Sequence, residues 1–314
     1  MMMPSGLAHW IWHQRWLPLR LKKSAYKKLD AQDKAPDAPF EMDFYGLRYR
    51  GNLNNGIEFA MYFYGAFEKP LLHFLRDCLL NLGKVEAGDT VFCDVGANIG
   101  QHSLFMSQFA SRVHAFEPYA AVSARLESHL ALNQIDNVTL HKLGLGDSNG
   151  TLPFYAPTGS NTGVGSFAAE SQQRGNTPAG ALRIARGDGY LADLELPRIQ
   201  LMKIDVEGFE RKVLSGLQQT LTRFRPVLVI EISYGEDLSF TSVEQFMAHL
   251  PKDYRVYTFD TRKADGSTAR RRGARAKRTG AYRLIPLTTW RDKDQDDLVA
   301  IPEEKLEAVP LRQR

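Results

Sequence analysis

Apolar residues run through Thr90-Val91-Phe92-Cys93, meet a carboxylate at Asp94, and give way to the small-residue turn Val95-Gly96-Ala97-Asn98-Ile99-Gly100. Gln101 to Phe109 follows with apolar positions at helical spacing, so strand, turn and helix form the first unit of a doubly wound sheet. The pattern recurs along the chain. Strands are predicted at Arg112–Phe116, Val138–Leu145, Leu201–Asp205 and Pro226–Ser233, and helices at Ala120–Asn133, Phe209–Phe224 and Val243–Leu250. Ahead of this series, Phe44–Leu53 reads as a strand and Leu71–Leu82 as a helix ended by Gly83. Thr151–Tyr155 reads as a short strand. The small, polar stretch 159–180 reads as a long loop, the kind that covers a site.

The turn selects its ligand by charge. A dinucleotide loop has the form GxGxxG and brings a pyrophosphate to the helix start. Here the form is GxNxG with Asp94 ahead of it, which repels an anion and attracts an ammonium or a sulfonium. Asn98 tolerates positive φ, so the loop still turns sharply between Gly96 and Gly100. Glu117, ending the next strand about 20 residues beyond the loop, stands where such folds place a carboxylate against ribose hydroxyls. The two acids together suit S-adenosylmethionine.

Asp94-Val95-Gly96-Ala97-Asn98-Ile99-Gly100, Phe116-Glu117-Pro118 and Lys203-Ile204-Asp205-Val206-Glu207-Gly208-Phe209-Glu210 resemble the signature stretches of the FkbM family of S-adenosylmethionine-dependent methyltransferases. The likeness runs from about Tyr62 to Ser233. It implies a Rossmann-like α/β fold, a seven-stranded sheet with helices on both faces and an antiparallel edge, for which Tyr254–Phe259 and Tyr282–Leu287 are the candidate strands. It implies methyl transfer to an oxygen of a sugar, glycolipid or polyketide-like product. It also makes Glu68, in the preamble to the fold, a candidate ligand to the methionine amine.

Further site residues follow from position. Asp147 stands on the ligand edge if Val138–Leu145 is one strand, near the adenine; equally it starts the Asp147-Ser148-Asn149-Gly150 turn. Alternation puts Lys203, Asp205 and Glu207 on one face, converging at the strand's carboxyl end. Asp205 or Glu207 is the candidate base for the acceptor hydroxyl, with Lys203 orienting them. Asn161 and Ser166 are candidate acceptor contacts on the long loop, and Glu231 is a further oxygen donor or acceptor contact. The same carboxylates offer Mg²⁺ the oxygen ligands it prefers, while no His and Cys spacing suggests zinc. His102, His114 and His141 read as satisfied surface or core residues.

The chain has 314 residues, 43% hydrophobic and 24% charged, which excludes general disorder. Its organisation reads as an arm and linker (1–40), a preamble (41–88), the methyltransferase domain (89–290, with a basic loop at 261–280) and a tail (291–314). A net charge of +4 does not by itself indicate nucleic acid. The two cysteines, Cys78 and Cys93, read as buried and reduced, and no apolar run approaches the ~20 residues of a membrane span, so a cytoplasmic protein is expected.

Two basic stretches stand out. Residues 7–28 join Trp10, Trp12 and Trp16 to Arg20, Lys22, Lys23, Lys27 and Lys28. They read as an arm packed on the domain or on a partner subunit, or else as a segment lying on a membrane surface. Residues 262–278 carry eight Arg and Lys; they read either as a surface for a phosphorylated or lipid-linked acceptor, an anionic polysaccharide or RNA, or, since no aromatics are interleaved for base stacking, as a solvated hairpin loop. Two alternative functions therefore remain beside the carbohydrate O-methyltransferase: an RNA methyltransferase clamped by 262–278, and a non-catalytic scaffold.

Overall fold

The computed structural model describes the chain except residues 1–3, 33, 87, 157–164, 168–174, 236–238, 264–266, 268, 293 and 314. Two compact units emerge, Met1–Phe67 with Gly159–Gly163, and Glu68–Thr158 with Val164–Arg314.

In the first unit, α1 (Ser5–His13) and α2 (Leu19–Asp30) precede a hairpin of β1 (Pro39–Phe44) and β2 (Leu47–Asn52), then α3 (Gly56–Tyr64). The single strand expected over Phe44–Leu53 is thus the second arm of a hairpin. Tyr45 and Gly46 take positive φ (54° and 89°) and make its turn. Asn55 starts α3, its side chain accepting from the amides of Ile57 and Glu58. Tyr62 and Tyr64 lie on the last turn of this helix.

The second unit carries, in chain order, α4 (Lys69–Val85), β3 (Val91–Val95), α5 (Gln101–Met106), β4 (Arg112–Phe116), α6 (Ala120–Asn133), β5 (Val138–His141), β6 (Gly144–Gly146), β7 (Gly150–Ala156), β8 (Thr177–Arg186), α7 (Gly187–Asp193), β9 (Leu201–Ile204), α8 (Glu210–Gly216), α9 (Gln218–Phe224), β10 (Val227–Ser233), α10 (Val243–Met247), β11 (Tyr254–Phe259), α11 (Arg270–Thr279), β12 (Leu284–Pro286) and β13 (Gln295–Pro302). The main sheet has the order β12-β11-β13-β10-β9-β3-β4-β5. β10, β9, β3, β4 and β5 run parallel, and β13 is antiparallel to both β10 and β11. This is the doubly wound methyltransferase sheet with an antiparallel edge, plus one short extra strand.

Three expectations change. Val138–Leu145 is not one strand: β5 ends at His141, and β6 joins β8 and β7 in a separate three-stranded sheet. Phe209–Phe224 is two short helices with a break at Leu217. The stretch 291–314, read as a tail, supplies β13, which lies between β10 and β11. The antiparallel region therefore needs residues beyond 290. Its apolar run, Leu298 to Ile301, is fully buried.

Strand alternation divides the sheet's faces. Cys93, Val95, Met202, Ile204, Leu228 and Ile230 belong to one core cluster together with Val213, Leu214 and Leu217 of the α8–α9 layer. Asp94, Lys203, Glu231 and Asp297 occupy alternate positions on the same strands and so face the other way. One side of the sheet is mostly apolar, with His114 and Asp296 as polar exceptions. The other becomes ionisable at the carboxyl ends of the parallel strands.

A chain ending at residue 290 should fail to fold, because it loses both ladders that β13 makes with β10 and β11. Circular dichroism and denaturant titration of that truncation check this; a cooperative transition with an unchanged midpoint would show β13 to be dispensable.

Candidate active site

The turn after β3 is built by backbone pairing. The amides of Gly96 and Ala97 both donate to the carbonyl of Phe116 at 3.0 Å, and the Asp205 amide donates to the Val95 carbonyl at 2.9 Å. Gly96 has φ 82°, and a Cβ there would collide with the Asp205 carbonyl. Gly100 has φ 87°, and its Cβ would run into Leu126. Asn98 takes φ 52°, as its residue type permits. All three positions therefore hold the sharp turn the sequence implied.

Glu117 closes the same turn. Its carboxylate accepts from the amides of Asn98 (3.0 Å) and Tyr119 (2.9 Å), one on each oxygen. One lone pair per oxygen remains for a ribose hydroxyl. Burial, offset in part by those amides, pushes its carboxyl up to about 7.

Asp94 is fully buried, with one oxygen accepting from Ser103 Oγ at 2.6 Å. Its other oxygen, Oδ1, has no hydrogen-bond partner among the described residues. Such an orphan costs about 1–3 kcal/mol. In-register pairing sets Asp94 beside Lys203, whose Nζ lies 3.9 Å from that oxygen but donates to Asp205 Oδ2 at 2.8 Å. The shorter distance makes Asp205 the hydrogen-bonded partner; Asp94 only feels the charge. Burial works against the Lys203 ammonium, but Asp205 and Asp94 outweigh it and hold the group charged.

The acids continue across the sheet. Glu231 on β10 stands directly opposite Asp297 on β13. Glu207, just beyond β9, takes φ 49°, and its Oε2 accepts from Gln295 Nε2 at 2.8 Å. Glu68 takes φ 47° at the start of α4. Backbone in this region costs roughly 1–3 kcal/mol for a side chain of that size, and such strain gathers at working sites. Burial, and then mutual repulsion, raises every one of these carboxyls: Glu207 to about 8 and Asp297 to about 7, with Glu68 and Glu231 far above the usual carboxylate range.

Glu68, Asp94, Lys203, Asp205, Glu207 and Glu231 are thus brought into one cluster, as is Asp297, which sequence reading assigned to a tail. Six carboxyls face one ammonium. Asp205, Glu207 and Glu231 each offer an oxygen, all within 4.8 Å of one another, a set that a divalent cation accepts.

Other candidates fall outside the cluster. Asp147 follows β6 in the small sheet, not a strand of the main one, and pairs with Lys212 at 2.7 Å, which favours its reading as a turn residue. Ser166 is buried, its backbone paired with Tyr155. Asn161 lies outside the described residues.

His102, read as a satisfied residue, is neither on the surface nor paired. It is buried at the start of α5, its Nε2 3.7 Å from Glu68 Oε2 and without a hydrogen-bond partner. Burial, then the Lys203 charge, keeps the ring neutral. Its place two residues after Gly100, at the ligand turn, was the signal for it. His114 and His141 do read as core residues, hydrogen-bonded to each other at 3.0 Å.

A family profile described as "Methyltransferase FkbM domain" matches residues 94–257. Methyltransferase 1 of Beauveria bassiana is 30% identical over 146 residues, 41% of this chain and 59% of that protein. The hexuronic acid methyltransferase AglP of Haloferax volcanii is 31% identical over 149 residues, 48% of this chain and 58% of its own. The 31-O-demethyl-FK506 methyltransferase FkbM of Streptomyces tacrolimicus is 29% identical over 177 residues, 46% of this chain and 66% of its own. The matches cover 59%, 58% and 66% of these three relatives' own lengths, and only 9% of the AMB antimetabolite synthetase AmbE of Pseudomonas aeruginosa, which is 30% identical over 189 residues.

The raised carboxyls make stability depend on pH in a set direction. Between the unfolded values near 4 and the folded values of about 7 (Glu117, Glu210, Asp297) and 8 (Glu207), the folded protein holds protons that the unfolded chain has lost. Their stabilisation is complete below about pH 4 and is lost as pH rises through 7 to 8. The ligand-free protein should melt at least ~2 °C lower at about pH 8 than at about pH 6. Asp297→Asn should flatten the trend; scanning calorimetry across pH checks both, and a midpoint rising with pH would contradict the assignment.

Proposed function

Because the chain belongs to the FkbM methyltransferase family, we propose that it moves the methyl of S-adenosylmethionine onto a hydroxyl oxygen of a carbohydrate, glycolipid or related metabolite. The observation that carries this reading is the cluster of carboxyls, buried Asp94 with half-buried Glu68, Asp205, Glu207, Glu231 and Asp297, in large excess over one buried lysine. A cation is what such a site lacks.

S-adenosylmethionine supplies an electrophilic methyl on a sulfonium, together with an α-ammonium. The orphaned Oδ1 of Asp94 and the Glu68 carboxyl suit the positive groups, and Glu117 suits the ribose. Gly96 and Gly100 keep the turn free of side chains, so a ligand can approach its backbone.

The acceptor hydroxyl gives up its proton as its oxygen forms the new bond to carbon. Glu207 is the better base of the two candidates. Asp205 is bound by Lys203 at 2.8 Å, which occupies one of its oxygens. Glu207, raised to about 8, is the stronger base once ionised, and Gln295 fixes one of its oxygens. Lys203 holds Asp205 in place, and Glu231 with Asp297 lines the same face.

For the acceptor, the supporting observations are two. One relative is named a hexuronic acid methyltransferase and another acts at a 31-O position, both by their names. In this chain β11 runs antiparallel to β13, as β10 does, so β11 ends at the same edge as β10. The segment carrying α11 departs from there, and Arg270, Arg271, Arg272, Arg275, Lys277 and Arg278 are exposed on it. An acidic sugar or a phosphorylated carrier matches that charge. α11 carries no aromatic residue for base stacking, which disfavours RNA. A divalent ion on Asp205, Glu207 and Glu231 is the second reading, favoured by their 4.8 Å grouping and opposed by the neighbouring Lys203 ammonium.

Calorimetry should show S-adenosylmethionine binding that Asp94→Asn weakens at least ~10-fold, the order of one lost charge-assisted contact. Unchanged affinity would remove Asp94 from the donor site. With a uronic-acid glycan as acceptor, kcat/KM should climb about tenfold per pH unit up to about pH 8, where Glu207 loses its proton. Glu207→Gln should abolish that limb along with most of the rate. A limb that persists in Glu207→Gln would move the base elsewhere, and a rate abolished by chelator and restored by Mg²⁺ would favour the metal.

A further inference from the structure

α1 and α2 pack on each other through Ala8, Ile11, Ala25 and Leu29, with Trp12 and Leu17 alongside. That small core uses one side of the pair. Leu7, Trp10, Trp16, Leu19 and Leu21 are left in solvent, with Trp10 52% and Trp16 73% exposed. These are five of the nine large apolar side chains that stand exposed among the described residues, and they fall within fifteen consecutive positions. Single exposed apolar residues are ordinary; a concentration containing two tryptophans marks a surface that something covers.

Charge identifies what covers it. From Leu7 to Leu29 the chain has six basic residues and no acid. Arg15 and Arg20, both exposed, alternate with Trp16, Leu19 and Leu21 around the α1–α2 turn. Lys22, Lys23 and Lys27 lie over the rings of Trp12, Tyr64 and Phe59 at 5.8, 4.6 and 5.5 Å. We propose that the α1–α2 segment docks on an anionic lipid bilayer, with Trp10, Trp16, Leu7, Leu19 and Leu21 at headgroup depth and Arg15 and Arg20 against lipid phosphates.

The chemistry fits an interface rather than a span. α1 has nine residues and α2 twelve, and no helix among the described residues is long and apolar enough to cross a membrane. Tryptophan favours the boundary between headgroup and acyl chain, where its ring is in apolar surroundings and its N–H meets water. Cations beside it meet the negative surface of anionic lipid. A second copy of this chain would bring an identical basic surface to face this one, and like charge opposes that pairing. The proposal stands independently of the acceptor assigned above.

The test uses the full chain with sedimented vesicles, one set of phosphatidylcholine alone and one containing phosphatidylglycerol. Binding to the anionic set is expected at low salt, with a blue shift of tryptophan emission, and it should be largely lost at about 0.5 M salt. Trp10→Ala with Trp16→Ala, and separately Arg15→Glu with Arg20→Glu, should each lower the partition coefficient about tenfold or more. Circular dichroism confirms that the variants fold. Absence of binding to anionic vesicles, equal binding by the variants, or a concentration-dependent dimer in light scattering that the tryptophan variant dissolves would each overturn the proposal.

Discussion

One ammonium organises the candidate site. Lys203 is buried between Asp94 on the neighbouring strand and Asp205 just past the end of its own, and these two carboxyls outweigh the burial that works against its charge. It covers only part of the negative charge around it. Among the described residues Glu68, Glu207, Glu231 and Asp297 make no ion pair with a lysine or arginine, and burial, then their mutual repulsion, raises their carboxyls. The protein thus stores an unfavourable electrostatic arrangement that a positively charged ligand relieves on entry.

The sheet makes this arrangement with little machinery. Because side chains alternate, β3, β9, β10 and β13 need only place an acid or a lysine at every second position near their ends to bring Asp94, Lys203, Glu231 and Asp297 to one face. The opposite face is filled by Cys93, Met202, Ile204, Leu228 and Ile230 against α8 and α9. A register slip of one residue would carry the charges into that apolar core, so the apolar side also keeps the ionisable side in place.

Much of this was legible in the amino-acid sequence wherever signal and structure were local. Asp94, Gly96, Asn98, Gly100 and Glu117 lie on one strand, one turn and the next strand, and their roles in the turn follow from backbone chemistry alone. Lys203 and Asp205 were legible for the same reason, by alternation. Asp297 was not: it reaches the site only because β13 inserts between β10 and β11, a pairing between distant segments that no local pattern encodes. For Asp147 two readings were open because an apolar run from Val138 to Leu145 looks continuous; the chain switches sheets after His141, which favours the turn reading. His102 was passed over because a lone histidine on an apolar helix is ordinarily just packed; only the position of Glu68, brought in by α4, gives it meaning.

The close approach of Gly96 to the Asp205 carbonyl has a consequence for how sites of this design diversify. With no room even for a methyl group between them, the donor turn and the strand bearing the acids move as one block. In the methyl transfer proposed above, what is free to vary lies outside that contact, and the arginine-bearing α11 between β11 and β12 is one such part. That helix can lengthen, shorten or change sign without touching the backbone contact between Gly96 and Asp205.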